Sequence, residues 1–155
     1  MIAAPDFDTF VFDALTTLLP SYTVVPDVDN TALWDDGADP MEGFPLVVFS
    51  VSASESDPMW QVWDGTAPGA WSVTMHLTAL ADPADLGGVV STVYGAVRSL
   101  RYARYDLEGT SESIVVQEVR ATQLFSNTGR VALVGGKSIA QKSGQFTMEI
   151  RETTG

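Results

Sequence analysis

The chain has 155 residues, is 45% hydrophobic and 18% charged, and carries a net charge of −12 without any cysteine. This composition is typical of one globular domain with a buried core, and it excludes disulfides, thiolate metal sites and cysteine nucleophiles. The charge is divided along the chain: residues 1–97 hold 14 acidic and no basic side chains, whereas residues 98–155 hold 8 basic and 6 acidic ones. The division favours contact between copies, acid against base, and argues against a general nucleic-acid binder, which needs a basic surface. No apolar run approaches the roughly 20 residues that span a bilayer, so we expect a soluble intracellular product without membrane contact.

The first predicted element is a helix that Asp6 or Asp8 can cap. Its apolar face repeats at helical spacing and ends before Pro20. That face consists of Phe7, Phe10, Val11, Ala14, Leu15 and Leu18. A short strand is predicted at Tyr22–Val25, followed by a long acidic loop over about 26–43.

Two strands are predicted in the middle of the chain. Pro45–Ala53 is rich in β-branched residues, and Trp71–Ala81 alternates apolar and polar side chains in the manner of a half-buried strand. A second long loop, about 54–70, separates them, and Met59–Trp63 within it could be a further short strand.

A second helix is predicted next, with Asp82 as its cap and Pro83 at its first position. Its interior contains three glycines, each of which costs about 1 kcal/mol relative to alanine. They are Gly87, Gly88 and Gly95. We interpret them as positions where another backbone, that of the sheet, approaches the helix closely.

The last part of the chain predicts two strands, Ser113–Phe125 and Gln145–Arg151. A turn is expected at Asn127–Gly129, and a third long loop over about 130–144. The order of elements predicts one α+β domain over residues 1–155, with an antiparallel or mixed β-sheet and two α-helices packed on one face.

Two features invite an interpretation as active sites, and neither completes a motif. Gly135–Ser138 (GGKS) has the ending of a phosphate-binding loop, but Val131 stands where the motif needs its first glycine and no helix is predicted to follow. His76, the only histidine, has no partner marked by spacing, and a surface or interface histidine is the simpler interpretation. We therefore predict a non-enzymatic protein without a cofactor.

An acidic cluster lies in the first long loop. Asp35, Asp36 and Asp39 could hold calcium, but their proline-rich flanks lack the two helices of a calcium-binding helix–loop–helix unit. A solvated acidic loop is the better interpretation, and no metal site is predicted.

Three tryptophans, Trp60, Trp63 and Trp71, surround a turn rich in glycine and proline. They could stack a sugar or a nucleobase, or they could form a subunit contact, where tryptophan is enriched. The lack of nearby positive charge argues against a nucleobase, and we favour the protein contact.

Three arginines follow each other at three-residue spacing with tyrosines between them. A cation at a helix C-terminus is favoured by the backbone dipole, and the same patch would also dock on the acidic half of a neighbouring copy. We predict the subunit interface to include Arg98, Arg101, Arg104, Asp35, Asp36, Asp39, Trp60 and Trp63.

Four segments together give the chain a recognisable layout. An amphipathic helix ends in PSYTVVPDV, a proline-initiated strand reads FPLVVFSVSA, the strand WSVTMHLTALAD runs directly into PADLGGVVSTVYGAVRSL, and a last strand pair ends in QFTMEIRE. This layout resembles the tail terminator (tail completion) proteins of long-tailed bacteriophages.

The resemblance implies a small α+β subunit that forms a homo-oligomeric ring, a hexamer, at the head-proximal end of the tail tube. Such a ring ends tube polymerisation, joins the tail to the head connector, and lets the viral DNA pass through its hole without specific binding. Its partners would be the tail tube protein and the head–tail connector proteins, and it would reside in the virion tail after assembly in the host cytoplasm. The alternatives are another head–tail connector or tail-tube subunit, or a small tryptophan-based carbohydrate- or peptide-binding module.

Overall fold

The computed structural model describes residues 6–26, 45–55, 70–106, 112–134 and 137–154. Within these ranges the elements are, in chain order, α1 (Phe7–Leu18), β1 (Thr23–Pro26), β2 (Leu46–Glu55), β3 (Ala70–Ala81), α2 (Leu86–Arg98), β4 (Arg104–Asp106), β5 (Glu112–Val134) and β6 (Lys137–Thr154).

The six described strands form one sheet in the order β1-β2-β3-β6-β5-β4. Strands β1 and β2 are parallel, and the other neighbours are antiparallel. The β3–β6 ladder is regular from the pair Ala70 and Arg151 to the pair Ala81 and Ala140. The last strand in the sequence therefore lies in the middle of the sheet.

The predicted architecture, an α+β sheet with two α-helices packed on one face, is wrong. Strand residues outnumber helix residues by more than two to one, and the sheet curls into a half-barrel, so it offers no flat face for a layer of helices. The curl follows from the 23-residue β5 and the 18-residue β6, because long paired strands coil. Register shifts along β5, the first between Val116 and Glu118, add local bends.

The third predicted loop is also wrong. Residues 130–144 belong almost entirely to β5 and β6, and the ladder runs through the predicted turn, with Asn127 opposite Lys142 and Val131 opposite Ala140. The ladder shifts register between Asn127 and Val131, a stretch that includes Gly129. The residues that predicted a turn therefore lie in an irregular part of the ladder. The other predicted loops, 26–43 and 54–70, lie mostly outside the described residues.

One buried cluster joins the two helices to strands β2, β3, β5 and β6. Its aromatic contacts include Phe7 against Trp71, with ring centroids 5.6 Å apart, and Tyr94 against Phe146 at 5.9 Å. The fully buried side chains in it include Val11, Leu15, Met75, Leu77, Val93, Phe146 and Met148. Burying each large apolar side chain stabilises the fold by roughly 1.5–3 kcal/mol.

A smaller cluster lies on the opposite side of the sheet. Val47 belongs to the large cluster, whereas its neighbours Leu46 and Val48 pack with Leu80 and Ile139. Since successive side chains in a strand point to opposite faces, both faces of the sheet are buried at this end.

Helix α2 begins at Leu86, three residues later than predicted. The carboxylate of Asp82 accepts a hydrogen bond from the Ala84 amide at 2.9 Å, and the Asp82 carbonyl accepts one from Asp85 at 2.9 Å. Asp82 and Pro83 therefore form a turn ahead of the helix.

The glycines of α2 do not face the sheet. A Cβ placed at Gly87, Gly88 or Gly95 would meet nothing within 4 Å, so the predicted close approach of another backbone is wrong. Gly144 in β6 is the contrasting case, since its Cβ would lie 3.2 Å from the Gln123 carbonyl oxygen and 3.2 Å from the Phe125 ring.

These surroundings predict opposite effects for two substitutions to alanine. Gly95→Ala should raise the free energy of unfolding by about 1 kcal/mol, because alanine loses less backbone entropy in a helix and has open space here. Gly144→Ala should lower it, because the added methyl group collides with backbone and an aromatic ring. Urea unfolding monitored by circular dichroism measures both, and a Gly95→Ala protein less stable than the parent would contradict the placement of that glycine.

Candidate subunit interface

The three predicted arginines lie on one short stretch of chain, from the last residue of α2 to the first residue of β4. We call Arg98, Arg101 and Arg104 the arginine surface. All three side chains are exposed. Cations here also complement the negative end of the α2 dipole.

Arg98 connects the end of α2 to β5. Its Nη1 donates a hydrogen bond to the carbonyl oxygen of Val119 at 3.1 Å. A guanidinium group carries five N–H donors, so this bond leaves capacity for a second acceptor on another chain.

Arg101 and Arg104 have only weak local contacts. The Cζ of Arg101 lies 4.8 Å from the centroid of the Tyr102 ring. The Nε of Arg104 lies 3.4 Å from a carboxylate oxygen of Asp106, with the two side chains 53% and 82% exposed. An ion pair this exposed contributes at most about 1 kcal/mol, so both arginines remain available to a partner.

The three tyrosines near these arginines, Tyr94, Tyr102 and Tyr105, have separate roles. Tyr94 packs on Phe146. Tyr105 packs edge-on against Phe10 with ring centroids 5.1 Å apart, and its hydroxyl donates to the Asp13 carboxylate at 3.0 Å. Tyr102 is 69% exposed and adopts a φ of 70°, and its amide is held by the Val116 carbonyl at 2.7 Å. Only Tyr102, among these three, adds to the arginine surface.

The other five predicted interface residues lie outside the described residues. They are Asp35, Asp36, Asp39, Trp60 and Trp63. Trp71 is the third of the clustered tryptophans that could have stacked a ligand. It lies in the core and is 5% exposed, so its ring face is not available to a ligand.

Two exposed acids, Asp6 and Asp8, lie close together at the start of α1, and the interface prediction did not include them. The Asp6 carboxylate caps the helix, accepting hydrogen bonds from the Thr9 amide at 3.1 Å and the Thr9 hydroxyl at 2.8 Å. These hydrogen bonds lower the pKa of Asp6, the bond from the Thr9 hydroxyl more than the bond from the Thr9 amide. The acid-rich helix start in the sequence was the signal for this site.

Opposite charges lie at opposite ends of α1. The helix has 12 residues, which at the helical rise makes it about 18 Å long. Asp6 and Asp8 lie at its start, whereas its last turns share a groove with the segment after α2. Leu18, Arg104 and Asp13 all line this groove, and the Asp13 carboxylate accepts the hydrogen bond of Tyr105. One protomer thus carries two charged surfaces of opposite sign.

An apolar groove of about 440 Å³ lies beside β1. Phe12, which is 38% exposed, contributes to its wall. The full lining is Asp8, Thr9, Phe12, Val24, Val25, Pro26 and Phe49. Phe12 does not belong to the predicted apolar face of α1, and an aromatic residue off that face was the sequence signal for an exposed apolar surface.

Among the described residues, the edge of β5 that faces away from β6 is paired with other backbone only at its start. β4 pairs with Ser113–Val115, and two backbone hydrogen bonds from the preceding turn reach Val116. From residue 117 onward no described strand pairs with this edge. We call residues 117–126 the open edge of β5. It includes Leu124, which is 66% exposed.

The residues singled out for metal binding, phosphate binding or catalysis can be compared with the structure where it describes them. The described residues contain no group of three potential metal ligands. His76 is exposed, with Ser50 and Gln145 as its cross-strand neighbours. Lys137 starts a strand and not a helix, so the phosphate-loop interpretation lacks the helix N-terminus that it needs.

None of the described helices has the length and apolar character that crossing a membrane requires. No protein-family model matches the sequence, and no curated protein matches it. The function has to be inferred from the chain's own surfaces.

The cap of α1 makes stability depend on pH in a defined direction. Because the folded pKa of Asp6 is lowered, its contribution is present above the pKa of the unfolded chain and is lost as the pH falls through the folded pKa. Asp6→Ala should therefore destabilise the protein at neutral pH and have little effect in strong acid. Urea unfolding over that pH range measures the difference. Asp6→Asn, which keeps a capping oxygen without titrating, is the control, and an alanine effect independent of pH would contradict the assignment.

Proposed function

We propose that this chain is a structural virion protein whose copies form a ring, a hexamer, at the head-proximal end of a phage tail tube. The ring ends tube polymerisation and joins the tail to the head connector. One observation carries the ring: the arginine surface and the acidic start of α1 are separate surfaces of opposite charge on the same protomer.

A cyclic ring uses heterologous contacts, in which one surface of a copy meets a different surface of the next. Two separate surfaces of opposite sign suit this contact and disfavour like-to-like pairing, since equal charges repel. Arg101 and Arg104 support the proposal most directly, because their local partners leave their charges exposed.

The assignment to a phage tail is supported by the layout of four segments, which resembles that of tail terminator proteins. In that setting the partners are the tail tube protein and the head–tail connector proteins. The net charge of −12 would disfavour adhesion of the viral DNA that passes through the hole. The protein would be assembled in the host cytoplasm and remain in the virion.

A tail-tube subunit is the second candidate. The strand-rich, curled sheet favours it, since tube subunits are rich in strands and stack in successive rings. Filaments of the purified protein would favour this candidate, whereas single rings favour the terminator.

Charge reversal of the arginine surface tests the proposal. The triple variant Arg98→Glu, Arg101→Glu, Arg104→Glu should lose ring formation and yield tails that do not join heads, because like charges would face each other at every contact. Electron microscopy of the purified protein and of particles from the encoding virus measures both effects.

The matched control replaces the same three arginines with lysine, which keeps the charge and should retain rings. Circular dichroism of each variant checks that the fold is unchanged. Tails of normal length that join heads without this protein, or infectious particles built with the glutamate variant, would refute the proposal.

A further inference from the structure

The open edge of β5 is not paired with any strand in the described ranges. Unpaired strand edges expose backbone donors and acceptors to other chains, and proteins usually shorten, cover or interrupt them. Here Arg98 binds the carbonyl oxygen of Val119, and no described strand pairs with residues 117–126. Six side chains in that stretch other than Leu124 are exposed as well. They are Gln117, Glu118, Arg120, Thr122, Gln123 and Ser126.

We propose that the open edge of β5 takes up the edge strand β1 of a second copy of this chain, with Leu124 entering the apolar groove beside that β1. The inference rests on the proposed function, which supplies the partner, a second copy of the chain. It names the two surfaces through which successive copies would meet. The sheet then continues from one copy into the next.

Strand direction permits this continuation. β1 is parallel to β2, and three antiparallel steps lead from β2 through β3 and β6 to β5. β1 and β5 therefore run in opposite directions within one sheet. A second copy in the same orientation presents its β1 antiparallel to β5, which is the more favourable pairing.

The charges beside the two edges are complementary. Arg98 and Arg120 lie at the open edge of β5, where Glu118 is the one exposed acid among the described residues. Asp8 lines the groove beside β1, and Asp6 lies two residues before it. Contact between these surfaces places arginine beside aspartate.

The apolar parts of the two surfaces also match. Leu124 is 66% exposed and offers an apolar side chain that a partner could cover. The groove is lined by Phe12, Val25 and Pro26. Because Pro26 has no N–H and β1 has four residues, backbone pairing supplies few bonds. Leu124 and the charges therefore carry much of the contact.

Engineered cysteines test this contact without background, because the chain has no cysteine of its own. A variant with Leu124→Cys and Thr9→Cys places one thiol at the open edge and one in the lining of the groove. Oxidation should join copies head to tail and give a ladder of covalent multimers on a denaturing gel. Leu124→Cys with Leu18→Cys is the matched control, since Leu18 is exposed on the same helix but does not line this groove, and it should give no ladder.

The other outcomes overturn the inference. Leu124→Cys alone forming dimers would show that two β5 edges pair with each other, with Glu118 against Arg120 of the second copy. Absence of any ladder would show that neither arrangement forms. If rings are seen by electron microscopy while the ladder is absent, this inference fails and the proposed function stands. A ladder in a protein that never closes a ring refutes the proposed function and not this contact.

A second pair of variants measures the contribution of Leu124. Leu124→Asp should weaken self-association by roughly tenfold or more, because a buried leucine becomes a charge beside aspartates. Leu18→Asp adds the same charge elsewhere and should leave association unchanged. Analytical ultracentrifugation over a concentration series measures both, and equal effects of the two substitutions would overturn the inference.

Discussion

The pairing of β6 between β3 and β5 is the constraint on which the rest of the structure depends. β6 is paired with β3 over twelve successive residues and with β5 along most of its length. Phe146 and Met148 of β6 are fully buried in the core that both helices share. Without this strand the sheet would separate into a β1-β2-β3 part and a β5-β4 part, neither of which could enclose the core. The central ladder thus fixes the position of α1, α2 and every surface that they carry.

The curl of the sheet gives the protomer two unequal edges. One edge is β1, which has four residues and ends in proline. The other is β5, which is paired by β4 only near its start. β5 is many residues longer than its outer neighbour β4. The difference between the two edges of the sheet therefore arises from strand length and not from particular side chains. A subunit with one short edge and one long edge has two different ends. Its surfaces of opposite charge are arranged towards those same two ends.

Local patterns predicted the parts of the fold that local physics determines. The structure confirms the alternation of β3 and a cap at Asp6, one of the two predicted caps of α1. Of the predicted apolar face of α1, Phe7, Phe10, Val11 and Leu15 are buried, whereas Leu18 is 39% exposed. The length of β5 was not predicted, because backbone pairing with β6 overrides the turn residues near Asn127. The short β4 has no periodicity to detect, and the curl depends on bulges whose positions are set by pairing across the ladder.

The candidate interface was likewise predicted only where local spacing determines it. Spacing identified Arg98, Arg101 and Arg104, but the acceptor of Arg98 on Val119 lies 21 residues away and could not be predicted from local spacing. Leu124 gave no sequence signal, since the register shifts around it break the alternation that would have marked it as exposed. The close approach of another backbone to the α2 glycines was predicted wrongly. The sequence around a helical glycine does not show whether that glycine faces a neighbouring element or solvent.

The central position of β6 also affects how the protein is made. Residues paired across β3 and β6 are far apart in the chain, with a sequence separation of 77 from Ser72 to Glu149 and of 65 from Thr78 to Ser143. At roughly 5–20 residues per second, a ribosome needs several seconds to deliver β6 after β3 has emerged. During that interval β3 has an unpaired side, so the nascent chain is a substrate for chaperones. A product that stops before β6 cannot form the β5–β6 ladder, and it therefore cannot present the completed edge to full-length copies.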